Sequence, residues 1–176
     1  VNGGKVIATA GQYSAAIGGG GGSTYRDLNR NGAEGGTLIV NGGEVVANGR
    51  IGAGYGTGGV SDKANGGSIE INGGTVTGTG GDGNMSYGIY AFNTLTISGT
   101  AEVTATGGMA SEESFGLYAG GSNITISGGS LLAQSLSSAG LRAAVSGNMT
   151  LNDSHWRTSS TGAFTQGNFK LGAEPY

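Results

Sequence analysis

The chain has 176 residues, of which 41 are glycine, one is proline and none is cysteine; only 11 per cent are charged, and the net charge is −3. Glycine at about three times its usual share, with so little proline and charge, excludes collagen and a charged disordered tail. The absence of cysteine excludes disulfides and thiolate metal sites, the lack of a basic surplus argues against a nucleic-acid partner, and no apolar run approaches the ~18 residues of a membrane span.

The tripeptide Asn2-Gly3-Gly4 opens the chain and returns as Asn41-Gly42-Gly43, Asn72-Gly73-Gly74, Ser98-Gly99-Thr100 and Ser127-Gly128-Gly129. Fainter copies follow at Asn152-Asp153-Ser154 and Gly172. From the second copy onward an apolar-x-apolar pair precedes this landmark: Leu38/Val40, Ile69/Ile71, Leu95/Ile97, Ile124/Ile126, Met149/Leu151 and Phe169/Leu171. That alternation is the period of a half-buried strand. A second strand follows each landmark, with apolar positions at Val6, Val45, Val76, Leu131 and Trp156, and Val103 one residue late. Two residues further on stands a small residue, as Ala8, Ala47, Gly78, Ala105, Ala133 or Thr158. A third strand reads Tyr87-Gly88-Ile89-Tyr90-Ala91, Phe115-Gly116-Leu117-Tyr118-Ala119 and Ala139-Gly140-Leu141-Arg142-Ala143, closing with Gly162-Ala163-Phe164. The first two copies keep only Ala16-Ile17-Gly18 and Arg50-Ile51-Gly52.

Three short strands in constant order predict one rung of a coil, stacked on the next at roughly 4.8 Å. The predicted fold is an all-β, right-handed parallel β-helix of about six rungs, forming one domain over residues 1–176. Landmark glycines turn the chain between strands at positive φ, and the runs beginning at Gly18, Gly35, Gly56 and Gly80 fill connections of variable length. The sequence begins at a landmark without its preceding strand and ends on the first strand of another rung. It therefore reads as an excised or processed part of a larger secreted protein, with ends open to contact with other domains or copies.

The segments Gly36-Thr37-Leu38-Ile39-Val40-Asn41-Gly42-Gly43-Glu44-Val45 and Ala15-Ala16-Ile17-Gly18-Gly19-Gly20 resemble the glycine-rich repeats of large secreted and surface-anchored bacterial proteins of the adhesin type. The rung pattern is similar to the pectin-lyase-like right-handed β-helix, a group of polysaccharide lyases, polysaccharide-binding modules and autotransporter passengers. The resemblance implies a secreted or cell-surface location and a polysaccharide, or a host-surface glycan or protein, as partner. Lyases of that group use a calcium-binding carboxylate cluster with a basic residue nearby, and no such cluster can be matched here.

Stacking turns outward residues into files that can be read for chemistry. On the first strand the file is Ile39, Glu70, Thr96, Thr125, Thr150 and Lys170; three stacked threonines are good strand formers, and they resemble one column of an ice-binding solenoid. On the second it is Lys5, Glu44, Thr75, Glu102, Ser130 and His155, in which the order of the last three and the rung spacing argue against a catalytic triad. On the third strand, Gly88, Gly116, Gly140 and Gly162 are expected to face outward as bare backbone beside a strip of Tyr90, Tyr118, Arg142 and Phe164. Aromatic faces beside a cation suit sugar rings, so this strip is the expected ligand-binding site. Calcium has only weak candidates, Asp82 with Asn84 in a glycine-rich turn and Asp27 in the first long loop, and Glu112-Glu113 reads as a solvated loop tip. The expected function is a non-catalytic stalk or adhesion module that binds glycan through the aromatic strip and needs no cofactor. The chief rival is a pectin-lyase-like enzyme, and an ice-binding solenoid is a minor one.

Overall fold

A landmark glycine reverses the chain within two residues, and apolar residues two apart can then be buried only by stacking on the same residues of the next copy. In the computed structural model, which describes residues 1–11, 14–20, 33–53, 67–138, 141–151, 155–160, 163–166 and 169–171, this is the outcome. The described residues contain strands and no helix, so no helix among them is long and apolar enough to cross a membrane.

The second strand of each copy contributes to one six-stranded sheet, in the order β1 (Lys5–Thr9), β4 (Glu44–Asn48), β7 (Thr75–Thr79), β10 (Glu102–Gly107), β12 (Ser130–Ser135) and β14 (His155–Ser160). All of its pairings are parallel, and Val6, Val45, Val76, Val103, Leu131 and Trp156 lie in one register. Val103, one residue late in the sequence, is in register all the same. The extra residue of its copy is absorbed in a turn closed by the Ala101 N–H donating to the Ser98 carbonyl at 3.3 Å.

The first and third strands share a ten-stranded sheet. The first-strand members are β3 (Thr37–Val40), β6 (Ser68–Ile71) and β9 (Thr94–Ile97); the third-strand members are β2 (Ile17–Gly18), β5 (Ile51–Gly52) and β8 (Gly83–Ala91). In the later copies the two run together, in β11 (Ala110–Ile126) and β13 (Leu141–Leu151), and β15 (Ala163–Gln166) and β16 (Phe169–Leu171) pair with β13. The only trace of the join in β11 is a shift of register between Tyr118 and Asn123.

The interior is a set of vertical files. Val45, Val76, Val103 and Leu131 form one; Val40, Ile71, Ile97 and Ile126 another; Ile51, Ile89, Leu117 and Val145 a third, each residue at most 2 per cent exposed. Full burial of such a side chain contributes about 1.5–3 kcal/mol. Val6 occupies the first place of its file but is 37 per cent exposed, because β1 is an outer strand with only β4 beside it. At the turns, Gly4, Gly43, Gly74, Gly99 and Gly129 have φ between 61° and 86°. A Cβ on Gly43 would collide with the backbone of Gly3 and Gly4 one rung away, so both φ and space require glycine there. Beside these turns the landmark side chains bond along the stack. Asn41 Nδ2 donates to Asn2 Oδ1 (2.9 Å), Asn72 Nδ2 to Asn41 Oδ1 (3.0 Å), and Ser98 Oγ to Asn72 Oδ1 (2.8 Å).

Candidate functional site

Strict alternation along β8 would send Tyr87, Ile89 and Ala91 to one face. Instead Ile89 and Ala91 enter the main core, whereas Tyr87 and Tyr90 meet in a second cluster with ring centroids 5.3 Å apart. Gly88 makes the break. A Cβ there would collide with the Thr106 backbone nitrogen and approach Gly116 O at 2.7 Å and Gly78 O at 2.8 Å, so this residue is pressed against the six-stranded sheet. Gly116 repeats the arrangement against Ala105 and Gln134, and the pairing of β8 with β11 skips both glycines. The glycine file expected to offer bare backbone to a ligand thus faces inward at these two positions. It lets two sheets approach more closely than any side chain would allow.

The corner holds four rings as two short stacks. Tyr87 lies on Phe115 (5.9 Å, 16°) and Tyr90 on Tyr118 (5.0 Å, 15°), with cross contacts of 5.2 Å between Tyr87 and Tyr118 and 5.6 Å between Phe115 and Tyr118. Each such pair is worth about 0.5–1.5 kcal/mol beyond area burial. Arg50 closes one end, its guanidinium carbon 5.1 Å from the Tyr90 ring and 5.5 Å from that of Tyr87. Ile51 pairs with Ile89, which puts Gly52 level with Tyr90. Tyr87 Oη donates to Glu113 Oε2 at 2.6 Å. Tyr87, Phe115, Tyr90 and Arg50 are buried, while Tyr118, Glu113, Phe92 and Met85 are half-buried. Burial pushes the Tyr90 phenol up to about 12, helped by Tyr118 and Glu113 and opposed by Arg50. Burial, then Glu113, also raises Tyr118, so both hydroxyls keep their protons at neutral pH.

Of the expected strip, Tyr90 and Tyr118 come together and the other two do not join their file. Arg142 pairs with Ser114, which pairs with Ser86; the residue level with Tyr118 is Ser146. Phe164 stands between Ala163 and Thr165, which pair with Ala143 and Val145, and so shares its level with Gly116. The triplet Ala139-Gly140-Leu141 imitates Phe115-Gly116-Leu117, but the connection length decides. From Gly107 to Phe115 and from Ser135 to Ala143 the chain takes the same number of steps, and both ends of the connection are in register. The side chains of Arg142, Phe164 and His155 lie outside the described part of the structure, as does Asp27.

Other expected residues are accounted for by local bonding. Lys5 and Glu44 form a surface ion pair (2.8 Å). Asp82 Oδ1 accepts the Met109 N–H at 2.8 Å, and Asn84 Nδ2 donates to Glu112 Oε1 at 3.4 Å; among the described residues no group of three or more His, Cys, Asp or Glu is placed to hold a metal ion. Glu112 and Glu113 belong to β11, not to a loop tip, and Glu113 is engaged by Tyr87. Sequence reading missed Arg50, Tyr87, Phe115 and Glu113 as members of the site. The usable signal was an aromatic residue, a glycine, an apolar residue and a tyrosine in series, present twice: a glycine that breaks alternation brings residues three apart onto one side.

A family model described as a beta helix repeat matches residues 1–21 and 95–120. No curated protein and no solved structure matches the chain. The matched residues are about a quarter of the chain, and the fold around them is that of a parallel β-helix.

Proposed function

We propose that this chain is a non-catalytic stalk and adhesion module of a secreted or cell-surface bacterial protein, touching a glycan at the aromatic corner. The reading rests on the unbroken register of the six-stranded sheet, in which successive copies each add one strand and one member to every buried file. A column built this way lengthens in proportion to its repeats and resists bending, the properties a spacer needs. Support for the adhesive half comes from the corner itself. The solenoid does not require tyrosine at the level of Tyr90 and Tyr118, since Gly52 and Ser146 hold that level in neighbouring copies. The location is supported by the likeness of the glycine-rich repeats to those of bacterial surface proteins.

The test pairs binding with turnover. On a glycan array the intact chain is expected to bind; binding to none removes the adhesive half. Incubated with polygalacturonate and calcium, it is expected to give no unsaturated product by absorbance. Turnover that disappears on chelation would replace the stalk reading with a lyase.

A further inference from the structure

We infer that the Tyr118 ring is a preformed platform for one neutral pyranose, which occupies the level of Ser146 as the next member of the Tyr90–Tyr118 stack. This rests on the glycan-binding reading above and names its contact and its ligand class. One face of the Tyr118 ring is taken by Tyr90, with planes 15° apart, so the opposite face looks along the stack toward the following rung. There the residue in register is Ser146, half-buried and too small to cover a phenol ring, followed by Gly147. The rung spacing of roughly 4.8 Å is close to the separation of stacked rings, so a sugar ring fits one step of the column. At the near edge the exposed Gly120 lies against the ring, where a Cβ would come within 2.7 Å of Tyr118 and 3.3 Å of Phe92, so Phe92 forms the wall on that side.

Rigidity favours binding here. Tyr118 is held by Tyr87, Tyr90 and Phe115, so little side-chain freedom remains to be lost when a ligand docks. The adjoining charge selects the ligand. Glu113 is bonded to Tyr87, whose ring lies 5.2 Å from that of Tyr118, and Glu112 beside it is exposed. The Glu113 carboxylate, whose charge acts on Tyr118, disfavours a uronate at the same ring, so the fitting ligand is a neutral pyranose chain with its apolar face on the ring.

The experiment titrates the whole chain with cellohexaose, mannohexaose and oligogalacturonate by calorimetry, alongside Tyr118→Ala and Ser146→Leu. The second variant covers the platform while leaving all four rings in place, and thermal unfolding checks that each variant folds. The expected result is binding of at least one neutral hexaose, stronger than that of oligogalacturonate and weakened roughly tenfold or more in both variants. A preference for the uronate, or unchanged affinity in folded Ser146→Leu, overturns the inference and leaves the adhesive reading standing. Failure to bind any of the three, together with a blank glycan array, overturns both.

Discussion

The main core and the aromatic corner are built on the same strands and follow opposite rules. In the core the same kind of residue returns in every copy: Ile51, Ile89, Leu117 and Val145 fill one file, and each supports the next. In the corner nothing returns more than twice. The level holding Tyr90 and Tyr118 is glycine at Gly52 and serine at Ser146, and Arg50 belongs to a single copy. Repetition marks what the column needs to stand; interruption marks a site that the column carries. The boundary between the two is Gly88 with Gly116: the residue before each glycine and the tyrosine two after it enter the corner, and the apolar residue between them enters the core.

The heaviest blow to that distinction is Gly88→Val. Its Cβ has backbone on three sides, from Thr106, Gly116 and Gly78, and none of the three can move without breaking a sheet. A loss of about 4 kcal/mol or more is expected in urea unfolding, in the exceptional range for one substitution. A cost below about 1 kcal/mol would mean that the two sheets are not pinched together at this point.

Within the core, position along the stack should grade the cost. Leu117→Ala, in a file with members on either side, is expected to lose about 3 kcal/mol. Val6→Ala, at the first place of its file and 37 per cent exposed, should lose about 1 kcal/mol or less. Equal costs at the two positions would contradict the stack.

These expectations also show how much of the molecule was legible beforehand. The parallel files were, because Val45, Val76 and Leu131 satisfy a period that no other arrangement buries, and burial is what the period encodes. The corner was only half legible. Tyr90 and Tyr118 were placed correctly relative to each other because the series aromatic, glycine, apolar, tyrosine itself repeats, although their copies differ in length from landmark to strand and a register shift between Ala110 and Glu113 takes up part of the difference. Arg142 was not, because a three-residue resemblance at Ala139-Gly140-Leu141 competed with wall length, and wall length is fixed by backbone pairing, which side-chain identity does not reveal. The inward turn of Gly88 was hidden for a related reason: glycine has no side chain to show by its polarity which way it faces.

The corner has a signature of its own in alkali. Tyr90 has a folded pKa raised from 10.0 to about 12, chiefly by burial, so folding favours its neutral form. The stability this contributes is fully present below pH 10 and is lost as pH rises through about 12. Absorbance at the tyrosinate band should therefore show Tyr90 ionising well above the ordinary tyrosine range, with the melting temperature falling across the same interval. In Tyr90→Phe that fall should be shallower. If it is as steep as in the parent chain, the alkaline loss comes from somewhere other than the stack.

The smallest effect belongs to the surface of the repeat. Lys5 and Glu44 make a 2.8 Å ion pair in which both side chains are about half exposed to water, at 52 and 43 per cent. Solvent screening and the entropy of holding two long side chains leave such pairs near 0–1 kcal/mol. Lys5→Gln should accordingly change unfolding free energy by less than about 0.5 kcal/mol, and less still in molar salt. Glu44→Gln, which removes the other partner, should match Lys5→Gln in urea unfolding. A cost above about 1 kcal/mol in either variant would make the pair part of what holds the column, and the division between repeated support and local function would then fail at its simplest residues.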